Sequence, residues 1–263
     1  MIMKEFYYTL TKSFQELLDK RSIHEKTISV KVEYADDSVK FTDSASASKD
    51  DAVKPVGDAV TSADSAAYGP EAKLVARYEG VIGECYTPYP GEFTGTLAQV
   101  AALDIENDPV SRSIYLAAMN AVMNKYELAD DCRSCDEDEE VRCGEQIANQ
   151  YKKNNGKVNV LLAGYQPHMM KSLAERFPLR VLDLDPENIG KTFFGVTVED
   201  GKAAYAEATR WAEVVLCSGS SLANGTFFDY VKLPKDVMFY GTTIAGAARV
   251  LGLRRTCPFG KND

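Results

Sequence analysis

The chain has 263 residues, a formal net charge of −9 and near-average apolar and charged content. That length allows a sizeable core in one or two domains, and the charge excludes a basic phosphate-binding stripe, so nucleic acid is not expected as a partner. No stretch reaches the length of a transmembrane span, and the opening M-I-M-K-E-F-Y-Y-T-L lacks the uninterrupted apolar core of a signal peptide. The expectation is a cytoplasmic protein with no membrane partner, in which six cysteines serve metal or redox chemistry rather than a disulfide framework.

Residues 5–20 place Phe6, Leu10, Phe14, Leu17 and Leu18 on one helical face, and T-I-S-V-K-V-E-Y at 27–34 alternates like a half-buried strand. Residues 35–70 are rich in Ser, Ala and Asp and are expected to form a flexible insertion, because they carry too little apolar surface to offset the entropy of ordering. K-L-V-A-R-Y-E-G-V-I-G-E-C-Y reads as a strand antiparallel to the one containing Ile28, and ends in the turn-rich T-P-Y-P-G-E-F-T-G-T. Residues 94–103 predict a short helix. Residues 109–126 predict a strong one, starting at Pro109, with Ile114, Leu116, Ala117, Met119, Ala121 and Val122 as core candidates.

Residues 128–145, L-A-D-D-C-R-S-C-D-E-D-E-E-V-R-C-G-E, combine cysteines with an excess of carboxylates, and residues 141–153 look helical. The run from Val158 to Ala163, followed by Gly164, has the content of a strand buried on both faces; Pro167, Met169, Met170, Leu173 and Phe177 then fit a helix. Strands at 179–184, 213–217 and 237–240 alternate with helical patterns to the end, which implies a mostly parallel sheet. The fold class is therefore α/β. A small α+β N-terminal domain spans 1–127, an acidic Cys-containing connector and helix 128–155, and a Rossmann-like domain with helices on both faces 156–263.

Two constellations carry chemistry. Cys132-x2-Cys135-x7-Cys143 lets thiolates share a metal, zinc or iron, with an iron–sulfur cluster as a further form. A fourth position is open to Cys85, Cys217, Cys257, a carboxylate or an exogenous ligand. The bland alternative is a set of reduced surface thiols in an acidic loop. The second constellation is the loop set at the carboxyl edge of the sheet: Gly164-Tyr165-Gln166, Asp183, Ser218-Gly219-Ser220, Asn224 and Thr226, and Thr242-Thr243. In doubly wound folds ligands bind at that edge, and such loops offer hydroxyls and N–H groups to a carboxylate or phosphate, while Asp183 stands where an acidic residue would take ribose hydroxyls. Tight turns and helix caps explain any single loop equally well. There is no G-x-S-x-G elbow, Walker loop or H-E-x-x-H motif, and His24 and His168 are the only histidines, so no catalytic set is assigned.

G-E-C-Y-T-P-Y-P-G-E-F-T-G-T, R-S-I-Y-L-A-A-M-N-A, L-L-A-G-Y-Q-P, V-L-D-L-D-P, C-S-G-S-S-L-A-N-G-T and Y-G-T-T-I-A-G, in that order, resemble a family of uncharacterised prokaryotic proteins described as putative heavy-metal chelation proteins. The resemblance implies an enolase N-terminal-like domain packed on a Rossmann-like one with a ligand cleft between them, and adds Thr94 and Asn120 from the N-terminal side to the residues lining it. The segment from Cys132 to Cys143 has no match in that pattern. Three functions compete: a metal-ion or metal-chelate handling protein holding an organic ligand; a nucleotide- or S-adenosylmethionine-dependent enzyme; and a thiol redox sensor using Cys132 and Cys135. The expected partners are a small molecule or metal, with a homodimer left open.

Overall fold

The computed structural model describes residues 3–33, 71–151 and 158–259; the insertion expected at 35–70 lies outside them, as do residues 152–157, which take in the end of the connector expected at 128–155. The N-terminal part consists of α1 (Met3–Arg21) and an antiparallel sheet ordered β3-β2-β1-β4, built from β1 (Thr27–Glu33), β2 (Ala72–Tyr78), β3 (Val81–Thr87) and β4 (Phe93–Thr96). The run read from the sequence as one strand is a hairpin. Glu79 and Gly80 take φ of 44° and 89°, the left-handed pair that a two-residue turn between right-twisted strands requires. The short helix α2 (Leu97–Ala101) starts only at Leu97, with Thr96 and Gln99 forming a reciprocal cap.

Helix α3 (Pro109–Lys125) is buried continuously from Arg112 to Asn124, because the antiparallel sheet covers one side of it and helices of the second half cover the other. Asp108 caps it by accepting the Val110 N–H at 3.0 Å, and Pro109 occupies the first turn. All six core candidates named from its sequence are buried.

The acidic run is not merely a loop. Helix α4 (Glu137–Tyr151) starts four residues before the expected 141, with Glu137, Asp138, Glu139 and Glu140 in its first turn, where the helix dipole favours carboxylates. Asp136 Oδ1 accepts the Glu139 N–H at 3.1 Å and Glu139 Oε2 accepts the Asp136 N–H at 3.1 Å, which closes that end.

The second sheet is ordered β11-β10-β9-β5-β6-β8-β7, from β5 (Val160–Ala163), β6 (Leu179–Asp183), β7 (Thr192–Phe193), β8 (Val196–Asp200), β9 (Val214–Ser218), β10 (Asp236–Tyr240) and β11 (Arg255–Thr256). All neighbouring pairs are parallel except β7 with β8. The path runs outward from β5 through β6 to β8, then returns to the other side of β5 through β9, β10 and β11. That reversal creates a switch point between β5 and β9.

Alternation along β5 explains the layers. Val160 and Leu162 point to a core with Ile147 of α4 and Met169, Met170 and Leu173 of α5 (Pro167–Ala174). Leu161 and Ala163 point to the opposite core, shared with α3, α6 (Tyr205–Trp211), α7 (Ser220–Asn224), α8 (Phe227–Val231) and α9 (Ala245–Leu251). This second core is continuous with that of the N-terminal sheet: the ring of Phe6 lies 4.8 Å from Phe227 and 5.0 Å from Phe228 between centroids. Among the described residues no helix is long and apolar enough to cross a membrane.

Candidate functional site

The carboxyl ends of β5, β6, β9 and β10 open into two adjoining cavities that share Glu71, Tyr165, Ser218 and Ser220. The inner one, about 90 Å³, lies at the switch point; the outer one, about 250 Å³, extends towards α4 and the tail. Local chemistry shapes the edge. Gly164 has a φ of +100°, and a Cβ there would meet Ser218 Cβ at 2.7 Å, so only glycine lets β5 turn out this close to β9. The Tyr240 hydroxyl donates to Gly164 O at 2.8 Å and steadies the turn, and the Tyr165 ring stacks on Phe193 at 5.0 Å.

Gly164, Asp183, Asn224 and Thr226 line the inner cavity; Gln166, Gly219, Thr242 and Thr243 line the outer one; Tyr165, Ser218 and Ser220 line both. Their roles differ from simple ligand contact. Asp183 Oδ2 accepts the Tyr165 N–H at 2.6 Å and Oδ1 the Asp185 N–H at 2.7 Å, so the carboxylate ties two strand-end loops together. Burial nevertheless raises its pKa. Gln166 Oε1 caps α5 at the Met169 N–H, and Asn224 Oδ1 accepts from Thr226 N and Oγ1. Thr243 Oγ1 accepts the Tyr86 N–H at 2.8 Å, joining the sheets.

Two residues implied by the resemblance stand elsewhere. Thr94 is exposed on β4, separated from β3 by two strands, and is not brought to the cleft. Asn120 is buried beneath it. Its Nδ2 donates to the carbonyls of Glu84, Thr242 and Thr243 at 2.9 to 3.2 Å, and its Oδ1 accepts the Gly246 N–H at 2.8 Å. This places Asn120 as a strut that holds the Thr242-Thr243 loop against β3 rather than as a lining residue.

Of the thiols, Cys135 and Cys143 line the outer cavity. Cys132 does not, being fully buried beside them with Sγ 3.7 Å from Ala129 O, and Cys85 is packed inside β3 among hydrophobic neighbours. Cys257, one of several residues to which the sequence left a fourth ligand position open, joins them as a third member of the lining. Arg255 brings it there: its guanidinium donates to Asp131 O at 2.9 Å, Asp130 O at 3.2 Å and Gly241 O at 2.9 Å, which clamps the tail to the connector. No spacing rule links position 257 to 132–143, and an Arg two residues before a Cys is the only trace of the clamp in sequence. Gly144 lets α4 pack closely on α5, since a Cβ there would lie 2.6 Å from His168 O. Glu140 faces His168, Oε2 to Nε2 at 3.9 Å, at the rim.

Burial pushes the Cys135 and Cys143 thiols up to about 12, aided by Glu140 and Cys257. Cys132 is also pushed up to about 12 by burial, against the opposing pull of Arg255. Among the described residues no three His, Cys, Asp or Glu side chains close into a metal-holding group. The donors therefore do not fit a closed structural zinc or cluster site, and fit an open cavity faced by protonated thiols. Glu71 was missed from sequence because it borders the Ser/Ala/Asp stretch. The residue as a whole is exposed, and its carboxyl, turned towards both cavities, is raised above the usual carboxylate range by local loss of water and the charge of Asp183, with a partly offsetting hydrogen bond from Ser220. Among the described residues neither lining contains a lysine or arginine.

No curated protein matches the chain. Among the solved structures that resemble it are two described as proteins with unknown function from the DUF364 family. The one from Desulfitobacterium hafniense is 17% identical, with 68% of this chain and 72% of that one covered at a TM-score of 0.48. The one from Pyrococcus horikoshii is 15% identical, with 89% and 78% covered at a TM-score of 0.44. The DUF364 family model, described as putative heavy-metal chelation, matches residues 149–252, so the parallel-sheet part of this chain is similar to that family.

Proposed function

We propose that the cleft binds a metal ion, or a metal held by a small organic chelator, as cargo. The observation that carries this reading is the convergence of Cys135, Cys143 and Cys257, from three separate segments, on one cavity with no basic side chain among the described residues of its lining. The three thiols do not close on one point in this structure, so uptake would draw them together, and three sulfur donors suit a soft or borderline ion such as zinc, cadmium or copper(I). With thiols held near pKa 12, uptake displaces protons onto solvent, so affinity rises with pH. The raised thiol pKa weighs against the redox-sensor reading, since little attacking thiolate is present at neutral pH.

The nucleotide or S-adenosylmethionine reading has one observation in its favour, the strand order with a cavity at the switch point. Against it stand the engagement of both Asp183 oxygens by backbone N–H groups and a cavity of about 90 Å³, small beside ordinary ligand pockets.

Equilibrium titration of the reduced protein with cadmium, followed by thiolate-to-metal absorption and elemental analysis, tests the proposal. One ion per chain in wild type, lost in Cys135→Ser/Cys143→Ser with the melting profile retained, is the expected result. No saturable uptake by folded wild type overturns it.

A further inference from the structure

We infer that Cys143 on α4 and Cys257 beyond β11 are the two halves of a disulfide, made and broken by exchange with a low-molecular-weight disulfide, that latches the tail across the outer cavity. The two thiols come from distant parts of the chain yet line the same cavity of about 250 Å³. Both are half-buried, so each keeps part of its surface open to a small oxidant. Cys132, by contrast, is fully buried.

The residues that flank the pair are already in contact. The guanidinium of Arg142, immediately before Cys143, lies over the ring of Phe259, two residues past Cys257, 4.5 Å from its centroid. On the other side of Cys257, β11 pairs with Phe239 and Tyr240 of β10, and Arg255 holds the connector carbonyls. Cys257 therefore stands between two fixed points, and one of them is the turn of α4 that carries Cys143. The thiols sense each other accordingly. After burial, the charge that most raises Cys143 is that of Cys257, whereas on Cys135 it comes second to Glu140.

The exchange balances with the external disulfide as its only oxidant. One cysteine, as thiolate, attacks that disulfide, forms a mixed disulfide and releases one small thiolate. The second cysteine thiolate attacks the protein sulfur of the mixed disulfide and releases the other. The two protons given up by the cysteines end on the two small thiols, which carry away the two electrons lost by the protein. Burial that keeps Cys143 protonated slows this exchange, so the pair is a slow latch rather than a rapid sensor; the equilibrium is set by how closely the fold holds one thiol to the other. Linking the two sulfurs takes away two of the three donors that face the cavity. The pairing itself rests on the docking of the tail on α4 and not on metal uptake.

Equilibration of the full chain with oxidised and reduced glutathione at a series of ratios, folded and in urea, provides the test, read by acid quench, alkylation and peptide mapping. Folded wild type is expected to give one major internal link, Cys143 to Cys257. It should form at a ratio at least about tenfold less oxidising than in urea, where a long loop has to be closed without help from the fold. Cys143→Ser and Cys257→Ser should each lose the link, and cadmium uptake should be lost on oxidation and return with dithiothreitol. No such link in folded wild type at any ratio, an equal or greater yield of Cys135 linked to Cys257, or the same midpoint folded and in urea overturns the inference. Mapping of wild type decides the matter if a variant does not fold. Absence of cadmium uptake by the reduced chain would end the metal reading alone, because the link is read without metal.

Discussion

Glu84, 2% exposed on β3, accepts the backbone N–H of Ser134 on its Oε2 at 2.7 Å, while its own N–H donates to the Cys132 carbonyl at 3.0 Å. The cysteine connector is thereby laid along the edge of the N-terminal sheet, and Cys135 is fixed relative to β3. Replacing Glu84 by Gln turns a charge-assisted bond into a neutral one in a buried setting and weakens the ion pair with Lys73 at 3.7 Å, at a cost of about 1 kcal/mol. Denaturant unfolding should show that loss, and cadmium affinity should fall as the connector loosens; unchanged values for both would mean that the contact does not organise the site.

Asn120→Ala deletes the donor to the Glu84, Thr242 and Thr243 carbonyls and the acceptor for Gly246 N–H, leaving buried backbone groups unpaired. A destabilisation of about 2 to 4 kcal/mol is expected, summing two or so unmade bonds. Asn120→Asp should be worse than Ala. It would aim carboxylate oxygens at three carbonyls, and urea midpoints of the two variants would reveal the order.

Gly144→Ala sets two effects against each other. Alanine is favoured in a helix by about 1 kcal/mol, whereas its methyl would collide with the His168 carbonyl, a backbone atom that cannot swing aside. Overpacking costs about 1 to 3 kcal/mol, so the clash outweighs the gain in helix propensity. The variant should melt lower than wild type and take up cadmium more weakly; a higher melting temperature would show that α4 and α5 separate freely.

Glu71 gives stability a pH dependence of defined sign. Its folded pKa, raised to about 7 from 4.5, means that the folded chain holds the proton longer than the unfolded one. Its contribution is therefore fully present below about pH 4.5 and is lost as pH rises through 7. Unfolding midpoints between pH 5 and 8 should decline in wild type, and the portion due to this group should vanish in E71Q.

Alkylation by iodoacetamide reads the thiols directly. With Cys135 and Cys143 held near 12, their modification should be slow at pH 7 and accelerate about tenfold per pH unit up to pH 9 without levelling. A plateau near neutrality would reveal an activated thiolate and revive the redox reading.

What the sequence disclosed follows from how each element signals itself. The strand and helix around Gly164 were readable because β5 is apolar on both faces and α5 keeps its period. The hairpin at Glu79-Gly80 was hidden inside what looked like one strand, and β8, V-T-V-E-D beyond a tight β7 turn, was too short and polar to stand out. The start of α4 was masked because carboxylates that oppose a core also suit a helix N-terminus. Motif order brought Thr94 and Asn120 near the cleft on paper, yet it says nothing about which edge of a sheet a strand occupies. Cys257 entered through a tertiary clamp by Arg255, which no local pattern encodes.

The contact of Phe6 with Phe227 and Phe228 makes the two sheets one thermodynamic body. Loosening α1 strips the cover from α8, and unravelling α8 exposes α1, so neither half has a melting transition of its own. Heat should therefore produce a single calorimetric peak. A ligand seated only at the parallel sheet should move that peak as a whole, carrying the antiparallel strands with it although they touch none of the ligand.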